Sequence, residues 1–378
     1  MMRLLLPSIL LAACAPAPES PSAPDRVAIV IAEKSSSGAR LVAIDERGDR
    51  QFELIYGPED GARETHPAIS PDGKWILYTS TRGGTSQKLW LAQIGNAPRE
   101  LQVTHGPSIE TQAAWAPDGT SFVFATLDGT NFDLYRMGFA RGRVAPQATR
   151  ITHGGGHEVS PSFAPDGSII YASAALDSYD SHLERLMPDG TIVQVTAGPN
   201  EGAPAVSPDG HWIAYACRQT TIIPEPVTPS TPINGERKPI GSIQHRDICV
   251  RPLAMPADST ETIAPVVSLP PSDEDGPVWS RDGRYLFATS AVWGENGVLF
   301  SSVIFIDMKE RPRRARILLD HGGPAPRMTP AIGTSQLMSA DLAQNPEYLS
   351  SLARIMTKRI QQQIREEQGS DAAGSASP

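Results

Sequence analysis

Five segments of this chain repeat one pattern. They begin at Glu64, Glu110, Glu158, Glu201 and Glu274, and eight residues later each reaches an aspartate followed by glycine. The pairs are Asp72-Gly73, Asp118-Gly119, Asp166-Gly167, Asp209-Gly210 and Asp282-Gly283. Four are preceded by Ser/Ala-Pro, and the fifth reads Ser-Arg-Asp-Gly with Arg281 in place of proline. The aspartates are 46, 48, 43 and 73 residues apart. Three of these intervals match the period of roughly 40–50 residues at which propeller blades repeat, and the fourth contains an insertion. The turn has a mechanism: proline presets the first corner, aspartate bonds its own backbone, and glycine takes the left-handed position. A short apolar strand precedes it and a strongly β-prone one follows, as in Trp75-Ile76-Leu77-Tyr78. Two further strand-like runs complete each unit before a Thr-His-Gly or Thr-Ala-Gly turn. Four antiparallel strands make a propeller blade. The 32 glycines and 35 prolines suit many short strands joined by tight turns.

These segments resemble the TolB-type propeller repeat, also found in the propellers of tricorn and prolyl-oligopeptidase-like proteins. The likeness spans residues 26–335. It implies an all-β propeller and says little about function, because one fold hosts many tasks. Three strand-like runs at 27–32, 39–45 and 51–56 precede the first copy. Runs at 301–307 and 315–319 follow the fifth, and 327–332 reads as one more first strand. The sequence therefore predicts a six-bladed propeller closed by strands from both chain ends, which would protect the sheet edges.

The first residues are a targeting segment. Arg3 is followed by a short apolar run and then by Leu11-Ala12-Ala13-Cys14. This resembles a bacterial lipobox, which implies a signal peptide over 1–13 and diacylglycerol on Cys14. The alternative is an ordinary secretory signal with an incidental cysteine. Residues 14–25 form a Pro/Ser/Ala-rich tether. Ala15 after the cysteine favours the outer membrane in Gram-negative sorting, so the expected place is the periplasmic face of a bacterial membrane, held by the lipid anchor only. The net charge of −9 argues against nucleic acid and against a basic grip on lipid.

The long interval holds an insertion at 218–246 in blade four. Cys217 and Cys249 flank it. An even pair in an oxidising compartment invites a disulfide, and adjacent antiparallel strands bring side chains within about 4.5–5.5 Å; two free thiols are the alternative. Beyond the propeller, 336–378 reads as a C-terminal helix and a compositionally disordered tail. Leu342, Leu349, Leu352, Ile355, Met356, Ile360 and Ile364 fall at helical spacing. That helix would either fold back on the propeller or dock a partner.

The repeat carries a glutamate at its first position in all five copies. That position opens the innermost strand, so Glu64, Glu110, Glu158, Glu201 and Glu274 are expected near one channel mouth, with Arg327 in the corresponding place of the last blade. Such a ring would focus field on a cation or basic segment, or each carboxylate would pin neighbouring blades together. His105 and His153 recur in inter-blade turns and are the candidate metal ligands. Oligogalacturonate lyases, whose propellers carry similar repeats, use such clusters, but no short ligand spacing supports one here. His153-Gly154-Gly155-Gly156 resembles an esterase oxyanion segment, yet it lies in an inter-blade turn and the chain has no G-x-S-x-G. No cofactor motif is present.

Two readings stand. The first is a non-catalytic envelope lipoprotein that scaffolds protein–protein interaction, in one variant as an extrinsic subunit of a membrane complex. Its partner would meet the propeller face, the blade-four insertion and the C-terminal helix. The TolB resemblance adds to this reading, since TolB is a periplasmic partner of envelope proteins, although TolB carries an N-terminal domain where this chain has a tether. The second is a metal-dependent polysaccharide lyase or hydrolase with a His/Glu cluster at the channel mouth. A small-ligand sensor is a third possibility that no residue tests.

Overall fold

The structure is a computed structural model that describes residues 29–322 and 331–332, except 36–37, 45–50, 54–60, 85, 95–98, 179, 225–238, 262, 270–271, 295–296 and 312. Five blades are complete, and each is sewn from consecutive antiparallel strands. Blade one contains Glu64–Ile69, Trp75–Ser80, Lys88–Gln93 and Glu100–Gln102. Blade two runs Ile109–Trp115, Ser121–Leu127 and Phe132–Ala140, with Arg143–Val144 and Thr149–Arg150 both pairing its third strand. Blade three contains His157–Phe163, Ile169–Ala174, Ser181–Leu186 and Ile192–Gln194. Blade four contains Gly202–Val206, Trp212–Pro224, Pro239–Pro252 and Pro265–Val267. Blade five contains Asp273–Trp279, Tyr285–Gly294, Gly297–Asp307 and Ala315–Gly322.

The chain ends form a closing sheet of a different kind. Ile29–Ser35, Gly38–Ile44 and Gln51–Glu53 are joined by the two residues Ala331–Ile332, in the register Ile29↔Ile332 and Val30↔Ala331. The sheet packs against the first strands of blades one and five. It has neither the Asp-Gly turn nor the leading glutamate. The expectation of six blades and a C-terminal helix is therefore corrected. Five blades carry the repeat, the ends supply a short closing sheet, and no residue described is helical. Counting leftover strands located the closure but overstated its likeness to a blade. Helical periodicity is weak evidence without a packing partner, because short isolated helices are marginal in water. Residues 333–378, where that helix was expected, lie outside the described residues, as do 1–28 with the signal, Cys14 and the tether.

The core sits between sheets. Leu77, Leu91, Phe122 and Phe124 fill the junction of blades one and two, while Ile248, Leu286, Ile304 and Ile306 fill that of blades four and five. Every second strand contains a buried apolar stretch, such as Ile76–Tyr78, Phe122–Ala125 or Ile213–Cys217, because neighbouring sheets cover both of its faces. Every first strand bears a bulge at one position, six residues before the turn aspartate. There His66, Gln112, Ser160, Ala203 and Gly276 all have positive φ, between 46° and 59°. Such bulges bend the strand and break its pairing.

Candidate functional site

The repeat defines two faces. One carries the Asp-Gly turns, and the other carries the leading glutamates with the hairpins between second and third strands.

On the turn face the glycines adopt φ of 67–85°, which side chains disfavour. Each aspartate also receives a hydroxyl, from one of two sources. Ser70 and Ser280 donate to Asp72 and Asp282, each at 2.6 Å, and Ser207 donates to Asp209. Where that residue is alanine, at 116 and 164, the hydroxyl comes from Thr120 or Ser168 on the far side of the turn. The proline of one turn packs on the glycine of the next: Pro71 on Gly119, Pro165 on Gly210 and Pro208 on Gly283. Arg281, the exception, reaches farther, and its Nη2 donates to the Ser70 carbonyl of blade one at 3.1 Å. The departure from the repeat thus ties blade five to blade one across the closing sheet.

On the other face the five glutamates are not an open ring. Their exposures are 0, 4, 4, 9 and 0 % for Glu64, Glu110, Glu158, Glu201 and Glu274. Arg327 lies outside the described residues. At three junctions a threonine from the preceding inter-blade turn holds the glutamate. Thr104, Thr152 and Thr196 each accept the backbone N–H of Leu89, Leu134 or Leu183 on their own blade. Thr104 and Thr152 donate to Glu110 and Glu158 at 3.2 and 3.3 Å, and Thr196 bonds Glu201. At the blade-five junction Ser272 and Ser290 do this for Glu274, at 2.6 and 2.9 Å.

At three junctions a residue of the preceding blade's third strand, Lys88, Asp133 or Asp247, faces the glutamate, and its charge varies. Lys88 Nζ meets Glu110 Oε2 at 2.8 Å, with both side chains buried. Asp133 faces Glu158. It is itself paired with Arg150 at 2.7 Å, so the proton goes to Glu158, whose carboxyl is pushed up to about 7 by burial and then by Asp133. Asp247 faces Glu274, which burial, and to a lesser degree Asp247, raises to about 8 despite its serine hydrogen bonds. Burial raises Asp247 too, and His245 Nε2 lies 3.1 Å from it. Glu64 bonds Ser80 and Arg82, each at 3.1 Å; Arg82 also pairs with Glu100 and lies over the Trp90 ring.

The candidate histidines do not join this network. His105 and His153 are exposed in their loops while the neighbouring Glu110 and Glu158 are buried. Among the described residues no group of three His, Cys, Asp or Glu side chains is placed to hold a metal.

The hairpins differ among blades. In blade four the second and third strands pair from Trp212↔Pro252 out to Pro224↔Pro239, so both ends of the 218–246 insertion continue the blade as an extended hairpin. Its strands are 13 and 14 residues long against 6 in blade one. At about 3.3 Å per residue the extra length adds over 20 Å. Cys217 and Cys249 are joined across the base, with Cα atoms 5.8 Å apart. They stand diagonally, since Cys217 faces Asp247 and Cys249 faces Tyr215. Ile222 near the outer end is 59 % exposed.

The junction threonines and the residue facing each glutamate escaped sequence reasoning. The threonines had a signal, the Thr of each Thr-His-Gly or Thr-Ala-Gly turn five or six residues before the glutamate. The facing residues had none.

A closed set of four-stranded antiparallel sheets with its core at the sheet junctions is a β-propeller. A family model described as the TolB beta propeller domain matches residues 87–228, and over that stretch the chain is similar to that family. It is similar to TolB from Acinetobacter baumannii, with TM-score 0.55 and 16 % identity over 82 % of this chain and 68 % of that one. A TolB-type protein of Agrobacterium tumefaciens gives TM-score 0.53 and 17 % identity over 81 % of this chain and 98 % of that one. Hydrazine synthase of Kuenenia stuttgartiensis gives TM-score 0.53 and 10 % identity, over 84 % of this chain and 48 % of that one. At these identities the likeness is one of fold. No curated protein matches the sequence.

Proposed function

We propose that this chain is a non-catalytic scaffold of the bacterial envelope, anchored by a lipid on Cys14 and holding a protein partner at the periplasmic face of the outer membrane. The observation that carries the reading is the blade-four hairpin. Its strands, of 13 and 14 residues, are longer than the 10 and 11 of blade five and the 6 and 6 of blade three; it is stapled at its base and exposes Ile222. A rigid projecting arm suits recognition of another macromolecule, since little ordering entropy is lost on binding. The repeat-locked carboxylates support the same reading: all five are buried in blade junctions, away from any substrate.

The test places a photo-crosslinker at Ile222 and, as a control, at Gly84 in the short hairpin of blade one, in cells carrying the intact lipoprotein. The expected result is a discrete envelope-protein adduct from Ile222 alone. Equal labelling from both positions, or none from either, would remove the scaffold reading. Mass spectrometry of the mature N-terminus is expected to find diacylated Cys14.

A further inference from the structure

The junction of blades one and two opens on the turn face into a cleft of about 690 Å³. Its floor is Trp75, packed edge-on against Phe139 at 5.6 Å between centroids. Four cations line it: Lys74, Arg99, Arg141 and Arg143. All four are exposed, and none forms an ion pair with a described residue. The one lining carboxylate, Asp72, is engaged by Ser70 and the Lys74 backbone within its own turn. Four cations around one aromatic, with Asp72 attracted to Lys74 as the one carboxylate among them, are unexpected on a chain of net charge −9.

The cationic rim is also built. Ala140 pairs with Arg143, so Arg141 and Gly142 are the two corners of a tight turn, with φ of 52° and 74°. Both corners of such a turn require positive φ, for which Asn-Gly is the usual choice. Arginine holds the first corner here, a conformation that L side chains disfavour. The turn is pressed onto the cleft floor: a Cβ on Gly142 would meet the Trp75 ring at 3.0 Å. The result holds the Arg141-Gly142 turn against the edge of the Trp75 ring, with Arg141 and Arg143 lining the cleft.

We propose that this cleft binds an acidic peptide segment with an apolar side chain among its carboxylates, supplied by a partner protein. The volume exceeds what a simple anion needs, since a water occupies about 30 Å³. The cations come from three separate stretches of chain around the rim, an arrangement that suits carboxylates spaced along a backbone better than one compact phosphate. Trp75 offers the apolar contact. The proposal rests on the scaffold reading, but it concerns the face opposite the blade-four hairpin and is tested separately.

The experiment is calorimetric titration of the full lipoprotein in neutral detergent with the peptide acetyl-Glu-Glu-Phe-Glu-Glu-amide. The Gln-for-Glu peptide, inorganic phosphate and phosphatidylglycerol vesicles are run alongside. The acidic peptide is expected to bind at least tenfold more tightly than the Gln peptide, and to weaken steeply as salt rises. The double variant R141A/R143A is expected to lose at least tenfold, and K74A a smaller factor. These residues are exposed, and an unchanged melting temperature will show that each variant is folded. Equal binding of both peptides, or unaltered binding by folded R141A/R143A, overturns the proposal. So does tighter binding of phosphate, which would make this a small-anion site, or of the vesicles alone, which would make it a lipid contact. Failure here with a specific Ile222 adduct would discard the cleft and leave the scaffold reading intact.

Discussion

Blades one and two meet around Lys88 and Glu110; blades four and five meet around Asp247 and Glu274. The two junctions use the same repeat position, the same strands and the same buried depth. At the first, a buried ammonium balances a buried carboxylate. At the second, two carboxyls meet in a place that water does not reach, and the cheaper state is a protonated one. A periodic backbone can therefore set the same glutamate against a cation at one junction and against a second acid at another.

Removing Lys88 should break this contrast most sharply. K88A leaves Glu110 charged and buried with only hydroxyl partners, and is expected to cost about 3–5 kcal/mol of unfolding free energy. Denaturant unfolding at pH 7.5 would measure it. A loss below ~1 kcal/mol would mean that the Lys88–Glu110 pair contributes little, and the contrast between the two junctions would fail.

The pH dependence sharpens the other side. Glu274 has a folded pKa of about 8 against an ordinary 4.5, so the native state binds the extra proton between those values. Its contribution is fully present below about pH 4.5 and is lost as pH rises through 8. Glu158 acts in the same sense up to about pH 7. Between pH 5 and 8 the junctions should lose on the order of 2–4 kcal/mol. E274Q keeps a neutral hydrogen-bonding group there and should flatten the upper part of that slope, raising the melting temperature at pH 8 while changing it little at pH 5. An unchanged slope in E274Q would show that the carboxyl is ionised throughout.

Smaller effects separate the junctions further. The blade-four side has a covalent support, since Cys217 faces Asp247 and is bonded to Cys249. C217A/C249A is expected to lose about 2–4 kcal/mol, with the loss concentrated in early hydrogen exchange of the long hairpin while blade one stays protected. Uniform loss of protection would instead make the disulfide a property of the whole ring. Smallest is the clasp of Arg281 on Ser70. R281A removes one exposed charged hydrogen bond and should cost less than about 1 kcal/mol, seen first as faster exchange at the turns of blades one and five.

Much of this was legible along the chain. The Asp-Gly turns named the five blades because proline, aspartate and glycine act within four residues, and a local rule survives any tertiary context. The glutamate at the eighth position before each aspartate was equally visible. Its burial in a blade junction, in place of the channel mouth expected from the sequence, was not, because the hydroxyls and the facing strand that bury it come from the preceding blade. The closure by both chain ends was foreseen from strand counting, while its short, turnless form depends on only two residues, Ala331 and Ile332, finding Ile29 and Val30. The basic cleft had no signal, since Lys74, Arg99 and Arg141 are far apart in sequence and ordinary as single residues.

Local chemistry along the chain sets the unit: its turn, its four strands, and a carboxylate at one fixed position. The tertiary structure decided what that carboxylate is. Lys88 lies 22 residues before Glu110, Asp133 25 before Glu158 and Asp247 27 before Glu274, and loops of unequal length set those separations. No period locates the facing residue; only the packing of one blade against the next does. Once packed, burial strips away the water that would have levelled the difference between a lysine and an aspartate. One repeated glutamate thereby becomes half of an ion pair at one junction and a neutral acid at another.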